Sequence, residues 1–554
     1  MKKNVITLVV IAVLLFLGIF GVLFITEDSD STKNAEKKLE RMVSRIGAEE
    51  LDPVKGTVEL SKTDLADELP DISKYPLSLE GNGDINVEIV SSPEKAGEDY
   101  DGWLLEVANE FNKQNNTVNG KSVSVSIRSI SSGTAADYIV SGKYVPDAFT
   151  PSNELWGEMI TAQGTNMELV EKKLAGNVAG ILVSDKVKKK LQEKYGSVDL
   201  ATVVKGTVEN EIGMGYTNPF SSSTGLNFLL ETLYTYDKND ILSDKAEEGF
   251  AEFQKNVPFV AYNTMQMRDA AESGSLDGMV LEYQTYVNDK SLRDYAFIPF
   301  GVRHDSPMYA VGNLSQDKKE VLEQFVAYCK DSDSQKLAKE YGFNEYEDYK
   351  TEIPDFDGEE IVEAQKLWKE NKDGGNSITA VFVADVSGSM NGVPINELKS
   401  SLINAGQYIN EENNIGLVSF NSDVFINLPI GKFDLNQRAY FNGAVNDLTA
   451  LGGTATYDGI AVGVDMLVKA KQADPDTKLV LFLLSDGKKT CGYDLDDVKK
   501  VLETYQIPVY SIAYGDETDM NELEAISSIN EAATIDADSD DVVYKLKNLF
   551  NAQM

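Results

Sequence analysis

Histidine and cysteine are nearly absent from this chain of 554 residues, which has one histidine and two cysteines. The cysteines, Cys329 and Cys491, belong to no Cys-x-x-Cys pair or Cys/His cluster, which excludes the usual zinc and iron–sulfur sites. The histidine, His304, stands between Arg303 and Asp305, and no flanking pattern indicates a nucleophilic triad. We therefore expect His304 to be a surface-loop residue and the chain not to be an enzyme.

Positive charge is also scarce, since 51 Lys and Arg residues against 90 Asp and Glu residues give a formal net charge of -39. Binding to a phosphate backbone requires clustered Lys and Arg, so the sequence predicts no nucleic-acid partner. The same charge disfavours docking of the folded body on anionic lipid. The simplest explanation of the acidic surface is that it keeps the protein soluble.

A single long apolar run, Val5–Ile25, lies at the N-terminus and is preceded by Lys2 and Lys3. It is long enough to cross a bilayer, which takes roughly 20 residues, and it ends without a small-x-small cleavage site. Positive charges before the span favour a cytoplasmic N-terminus. Residues 1–26 are therefore predicted to be a cytoplasmic tip and transmembrane signal anchor of a single-pass cell-membrane protein with an extracytoplasmic body. A cleaved signal peptide is the alternative.

The next segment, residues 27–83, is rich in charge and has only short apolar stretches. Asn34–Ile46 can form one amphipathic helix, whereas the stretch from Pro70 to Gly83 contains two prolines and two glycines. This composition predicts a stalk that holds the folded part away from the membrane.

Strand and helix patterns alternate over residues 84–371 and predict sheets of parallel strands covered by helices. Two loops in this region, Ser131–Thr134 and Ser221–Gly225, each follow a strand and lead into a helix. Such turns present backbone N–H groups and hydroxyls at a helix N-terminus, which favours an anion. The alternative is that the serines and threonines only cap their helices.

The order of these segments resembles the extracellular solute-binding proteins of ABC importers, particularly those that take molybdate, sulfate and similar oxyanions. The matching stretches are Ile130–Tyr138, Ile212–Leu226 and Ala270–Gln284. The resemblance implies a two-lobed α/β domain of the periplasmic-binding-protein type with a small anion in its cleft. The residues that it implies near the cleft are Ser132, Ser222, Ser223, Thr224 and Tyr283.

Buried-strand patterns return in residues 376–554, where Ile378–Ala384 is a continuous apolar, β-branched run. Similar runs at Ile415–Phe420, Lys478–Leu484 and Ile507–Ala513 are separated mostly by helical patterns. The sequence therefore predicts a doubly wound, Rossmann-like α/β sheet, which binds ligands beyond the carboxyl ends of its strands.

Five oxygen-bearing side chains follow these strands. They are Asp385, Ser387, Ser389, Thr454 and Asp486. Two carboxylates balance the charge of a divalent cation, and the three hydroxyls fill further positions without adding charge. The expected ion is Mg2+, with Mn2+ or Ca2+ as alternatives.

The order Asp-x-Ser-x-Ser, then Thr, then Asp-Gly resembles the metal-ion-dependent adhesion site of the von Willebrand factor A family. The resemblance implies that the metal accepts an exposed carboxylate from a protein partner. We therefore expect a membrane-anchored extracytoplasmic adhesion or scaffold protein. The alternative is the substrate-binding component of an ABC-type importer for an oxyanion or another small solute, and a third class, a metal-assisted phosphatase, lacks a nucleophile–base pair.

Overall fold

The computed structural model describes residues 32–58, 64–273, 276–351, 353–515, 518–530, 532–537 and 541–554. The chain divides into two compact units. Of the described residues, the first unit contains 32–58 and those from 377 to 537, and the second contains those from 64 to 376 and 541–554. The predicted membrane span Val5–Ile25 lies outside the described residues, and none of the described helices is long and apolar enough to cross a membrane.

The first unit is built on one sheet whose central strand is Ile378–Asp385. Every residue of this strand is buried, as the continuous apolar run predicts. Its neighbours on both sides run parallel to it, and Val424–Lys432 is antiparallel to the strand beside it. The strands follow one another across the sheet in the order Glu49–Glu50, Val424–Lys432, Asn414–Phe420, Ile378–Asp385, Lys478–Ser485, Val509–Tyr514 and Thr534–Ala537.

Helices surround this sheet, and the predicted doubly wound α/β arrangement is confirmed. Thr456–Ala473 packs against the central strand and buries Ile460, Val464 and Leu467. The helices of this unit are 32–46, Val393–Ala405, Leu435–Asp447, Thr456–Ala473, Leu495–Tyr505 and Met520–Ser527, with short 3-10 turns at Gly388–Met390, Gly406–Tyr408 and Ser528–Asn530.

Residues 32–58 form part of the first unit and not the predicted stalk. The helix over residues 32–46 buries Leu39 and Met42 in the hydrophobic core of the sheet's helical layer. Glu49–Glu50 then adds a parallel edge strand beside Val424–Lys432. The stalk interpretation of residues 27–83 was wrong for residues 32–58, because the buried side chains of Ala35, Leu39 and Met42 dock the helix although the surrounding sequence is mostly charged.

The second unit contains two separate sheets, as expected for a two-lobed domain. The first has the order Leu77–Leu79, Lys121–Ser129, Ile85–Ser91, Ala148–Thr150, Met308–Val311 and Met167–Glu171, with Thr117–Val118 beside Lys121–Ser129. The second has the order Phe259–Ala261, Met214–Thr217, Gly278–Glu282, Val178–Ser184 and Tyr295–Arg303. Each sheet mixes parallel with antiparallel pairs, whereas the alternation of strands and helices predicted parallel pairs alone.

Helices cover both sheets of the second unit. Those of eight or more residues are Trp103–Lys113, Ser132–Ser141, Leu155–Ala162, Asp185–Tyr195, Leu200–Val208, Ser223–Tyr236, Asp244–Lys255, Thr264–Ser273, Gln316–Cys329, Ser332–Glu340, Gly358–Asn371 and Val542–Gln553. Shorter helices are Leu65–Glu68, Pro93–Ala96 and Tyr283–Asn288, and 3-10 turns lie at Ile72–Lys74, Asp99–Asp101 and Lys290–Asp294.

The last helix, Val542–Gln553, belongs to the second unit although it follows the last strand of the first. The Tyr544 hydroxyl donates to the Asp137 carboxylate at 2.8 Å, and Lys547 forms an ion pair with Glu68. Tyr544 also packs with buried Tyr138. The structure therefore groups this helix with the second unit, where its anchoring partners lie hundreds of residues earlier in the chain.

Candidate functional site

Asp385 ends the central strand of the first unit and is fully buried. One carboxylate oxygen accepts a hydrogen bond from the Ser387 backbone N–H at 2.8 Å, and the other accepts from the Ser485 hydroxyl at 2.6 Å. Ser485 ends the neighbouring parallel strand, so the two strand ends are tied together through this carboxylate. Each carboxylate oxygen has two lone pairs, which leaves both oxygens able to bind a cation.

The hydroxyls of Ser387 and Ser389 lie 3.0 Å apart. Ser387 is buried, whereas Ser389 is exposed. The pair therefore extends from the buried carboxylate of Asp385 toward solvent, which leaves the outer side of the cluster accessible.

The loop that contains Thr454 contacts the loop that contains the two serines. The Gly388 N–H donates to the Gly452 carbonyl at 3.0 Å, and Gly452 has a φ of +85°, a conformation that favours glycine. The Thr454 N–H donates to the Thr490 hydroxyl at 2.8 Å. These hydrogen bonds hold buried Thr454 between the loop after the central strand and the loop after Asp486.

Asp486 follows Ser485 directly and is buried. The pKa of Asp385 is raised to about 6, chiefly by burial and to a smaller extent by the negative charge of Asp486, against the hydrogen bonds from Ser485 and Ser387 that lower it. Because the buried carboxylates of Asp385 and Asp486 repel each other, binding of a cation near both would be favourable.

This set of donors fits a hard divalent cation. Carboxylate and hydroxyl oxygens are ligands that Mg2+ accepts, and the cluster contains no sulfur or imidazole ligand that would favour a softer metal. Among the residues that the structure describes, no group of three or more His, Cys, Asp or Glu side chains could hold a metal ion. The predicted set has two such side chains, Asp385 and Asp486, and depends on hydroxyls for its other ligands.

The second unit has a cavity of about 110 Å3 at the N-termini of two helices. It is lined by Pro93, Glu94, Asp101, Ser131, Ser132, Ser221, Ser222, Ser223, Asn263, Thr264 and Arg268. The structure therefore brings the predicted residues Ser132, Ser222 and Ser223 together. Thr224 and Tyr283 are not among the lining residues, because Thr224 is buried within its helix and Tyr283 packs against the rings of Phe297 and Tyr346.

The two serine-rich loops contact each other directly. The Gly133 N–H donates to the Ser221 carbonyl at 3.3 Å, and the Ser223 hydroxyl donates to the Ser132 hydroxyl at 3.1 Å. A Cβ at Gly133 would lie 1.9 Å from the Phe220 carbonyl oxygen, so glycine is required for this close approach.

Charged residues that the sequence analysis did not select also line the cavity. Arg268 forms an ion pair with Asp101 at 2.9 Å, and the Thr264 hydroxyl donates to the Glu94 carboxylate at 3.3 Å. Burial and the negative charge of Glu282 raise the pKa of Glu94. No local motif marks these residues, which come from separate segments, so the sequence offered no signal for them.

His304 is fully buried in the second unit, which corrects its assignment to a surface loop. Its Nδ1 lies 2.7 Å from the Glu282 carboxylate. Its Nε2 lies 3.1 Å from the Asn153 amide nitrogen and 3.2 Å from the Asn227 amide nitrogen. Since amide nitrogens only donate, Nε2 accepts and Nδ1 carries the proton toward Glu282. The charged residues on either side of His304 suggested an exposed loop. In the structure Arg303 and Asp305 form an ion pair with each other, while His304 between them is buried.

Comparison with known families matches each unit to a different one. Residues 380–552 match the von Willebrand factor type A domain, and residues 96–344 match the family described as bacterial extracellular solute-binding protein. The first match includes most of the helix Val542–Gln553, which in this structure contacts the second unit. We assign the helix by its contacts, since a family match reflects sequence order and not packing.

Two relatives each match about a quarter of this chain. The uncharacterized protein sll0103 of Synechocystis sp. is 30% identical over 150 residues, which cover 26% of this chain and 34% of that protein. The inter-alpha-trypsin inhibitor heavy chain H1 of Mesocricetus auratus is 28% identical over 162 residues, which cover 27% of this chain and 17% of that protein. The match thus spans about a third or less of the length of either relative.

Two solved structures each resemble part of the chain. A von Willebrand factor type A protein from Catenulispora acidiphila matches with a TM-score of 0.28 and 19% identity, over 32% of this chain and 42% of that one. The sulfate-binding protein SubI from Mycobacterium tuberculosis H37Rv matches with a TM-score of 0.33 and 15% identity, over 48% of this chain and 88% of that one.

Proposed function

Because this chain joins a bacterial extracellular solute-binding domain to a von Willebrand factor type A domain, we propose that it is a binding protein that holds a partner through a divalent cation. In this proposal Asp385, Ser387, Ser389, Thr454 and Asp486 hold Mg2+, with Mn2+ or Ca2+ as substitutes. The bound cation would supply an electrophilic coordination position for an exposed carboxylate of a protein partner. The partner and the ion are both part of the proposal.

The observation that carries this proposal is the convergence of three loops on a buried carboxylate. Asp385 is fixed by hydrogen bonds from two different strand ends, and the loop of Thr454 is held against the loop of Ser387. In this proposal, the hydrogen bonds that fix Asp385 and the two loops before an ion arrives reduce the entropy lost on binding. Exposed Ser389 leaves the outer side open to a partner.

The test is calorimetric titration of the full chain with Mg2+, beside the variant Asp385→Asn. We expect the variant to lose affinity by roughly a hundredfold or more, because even outer-shell substitutions cost 10–100-fold at metal sites. The matched control is Asp423→Asn, which removes an exposed carboxylate from a neighbouring loop. Equal affinity in all three proteins would place the ion elsewhere and reject the proposed site.

A second assay tests the partner interaction. The full chain is passed over an immobilised peptide with an exposed glutamate in Mg2+ and then in EDTA, beside a matched glutamine peptide. Retention that requires both Mg2+ and the glutamate supports the proposal. Retention that persists in EDTA would indicate a surface that works without the ion.

A second candidate function is the substrate-binding component of an importer for a small solute. The observation that favours it is the cavity at the two serine-rich helix N-termini, which lies within the domain that matches solute-binding proteins. A thermal-shift screen with small solutes tests it, because a ligand that binds only the folded state raises the unfolding temperature.

We also propose that the chain is anchored in the cell membrane with its body outside the cytoplasm. The support is the charge pattern of the sequence, in which Lys2 and Lys3 precede the apolar run Val5–Ile25. Protease added to intact cells would degrade the body if it is exposed, and protection of the whole chain would contradict this topology.

A further inference from the structure

The cavity of the second unit has an excess of negative charge. Its lining contains two carboxylates, Glu94 and Asp101, and one guanidinium, Arg268. Arg268 is engaged by Asp101 through both of its terminal nitrogens, at 2.9 Å and 3.3 Å. Among the described residues Glu94 forms no ion pair, and its hydrogen-bond partner is the neutral Thr264 hydroxyl. An anion entering this cavity would therefore meet a carboxylate that has no ion-pair partner among the described residues, although the charges of Arg268 and Lys95 act on it at longer range.

The buried lysine beside Glu94 does not remove this excess. The Lys95 ammonium is turned toward the Ser92 hydroxyl at 2.7 Å and the Pro151 carbonyl at 3.3 Å, and it does not line the cavity. Burial lowers the pKa of Lys95 to about 8, although the charges of Glu94 and Glu282 oppose the shift. The Glu282 carboxylate is hydrogen-bonded to His304 and Asn177.

Three of the five serine hydroxyls that line the cavity already donate to acceptors in the protein. The Ser131 hydroxyl donates to the Thr134 hydroxyl at 2.9 Å, and the Ser221 hydroxyl donates to the Tyr262 carbonyl at 2.7 Å. The Ser223 hydroxyl donates to Ser132 at 3.1 Å. Since a hydroxyl has one proton, these three serines have none left to give to an anion in this arrangement.

We propose that the cleft selects a small molecule with a protonated amine, which binds against the Glu94 carboxylate, in place of the oxyanion expected from the sequence. The inference rests on the second candidate function, because it specifies what the solute-binding domain binds. Glu94 supplies the charge, and the hydroxyl oxygens of the lining serines supply neutral acceptors for the other N–H groups. The Arg268–Asp101 pair closes one side of the cavity.

The cavity volume limits the size of the ligand. A water-sized group needs about 10–15 Å3, so a cavity of about 110 Å3 holds on the order of ten non-hydrogen atoms. This is the size of a short amine or diamine.

The test is thermal shift and calorimetry on the full chain with ethanolamine and putrescine as amine probes, and with sulfate and molybdate as oxyanion probes. We expect the amines to raise the unfolding temperature and the oxyanions to leave it unchanged. In Glu94→Gln the amine affinity should fall roughly tenfold to a hundredfold, which is the effect of removing a charged hydrogen-bond partner. Glutamine keeps an acceptor for the Thr264 hydroxyl, so this variant should fold.

The matched control is Glu98→Gln, which removes an exposed carboxylate four positions away and should bind amines like the unmodified protein. Glu94→Asp serves as a second variant that keeps the charge and shortens its reach. Stabilisation by sulfate or molybdate without stabilisation by the amines would overturn the inference while supporting the solute-binding function. No stabilisation by either class would count against both. Amine binding that is equal in Glu94→Gln would also overturn the inference.

Discussion

Replacing Asp385 with asparagine should stabilise the first unit without Mg2+ and should abolish the stabilisation that Mg2+ gives. Burial and the charge of Asp486 raise the pKa of Asp385 from 3.8 to about 6. One pKa unit corresponds to about 1.4 kcal/mol, so the ionised carboxylate costs the metal-free folded state on the order of 3 kcal/mol at neutral pH. Asparagine removes this charge, and in EDTA at pH 7 we expect Asp385→Asn to be more stable than the unmodified protein by about 1–3 kcal/mol.

The direction in which stability changes with pH follows from the protons bound at Asp385 in the folded and unfolded states. Between pH 4 and pH 6, approximately, the folded state binds more protons at Asp385 than the unfolded state does, so the metal-free protein loses stability as the pH rises through this range. The difference between the two proteins should therefore be small near pH 4 and complete above about pH 6. In Mg2+ at a hundred times its dissociation constant, the unmodified protein gains about 2.7 kcal/mol and the variant gains almost nothing.

Hydrogen exchange of the central strand Ile378–Asp385 measures this change in the first unit alone. The tryptophans, Trp103, Trp156 and Trp368, all lie in the second unit, so their fluorescence is an internal control that should not respond. A variant that is less stable than the unmodified protein in EDTA at pH 7 would refute the reasoning. It would mean that the hydrogen bonds of the carboxylate outweigh the cost of burying its charge.

Three further substitutions test the packing described above. Leu39→Ala should lower the free energy of unfolding of the first unit by about 2–5 kcal/mol in denaturant titrations, with Glu40→Ala as an exposed control, and an unchanged midpoint would contradict the docking of the N-terminal helix. Gly133→Ala should destabilise the second unit by about 1–3 kcal/mol, because its methyl group would collide with a carbonyl oxygen, and a fully stable variant would mean that the loops separate easily. His304→Ala should cost about 3–5 kcal/mol by tryptophan fluorescence, because it removes a hydrogen-bond partner of the buried Glu282 carboxylate, and a surface residue would cost less than 1 kcal/mol.

The sequence predicted those parts of the fold that depend on local patterns. The central strand was predictable because its β-branched apolar residues are adjacent, and a strand buried on both faces needs such a run. The edge strand Glu49–Glu50 was not predictable, because it has two exposed glutamates and is defined only by hydrogen bonds to a distant strand.

The two candidate sites also differ in how far local sequence patterns could predict them. The positions of the proposed metal ligands could be predicted because each lies directly after a strand or in a glycine-rich loop, and loops at the carboxyl ends of neighbouring parallel strands lie close together. The charge of the cleft was not predictable, because Glu94 and Arg268 lie in separate helices and neither belongs to a motif. The serines that were predicted to bind the anion lie in loops where serine side chains cap the helices and contact each other.

The docking of residues 32–58 on the first unit has a consequence for the synthesis of the protein. The Glu36 carboxylate accepts from the Tyr505 hydroxyl, a residue 469 positions later in the chain. At about 5–20 residues per second, the N-terminal helix is made roughly 25–95 seconds before this partner, and the whole second unit except its last helix is synthesised in between. During that interval Leu39 and Met42 have no core to enter, so the nascent chain exposes an apolar helix face that a chaperone can bind.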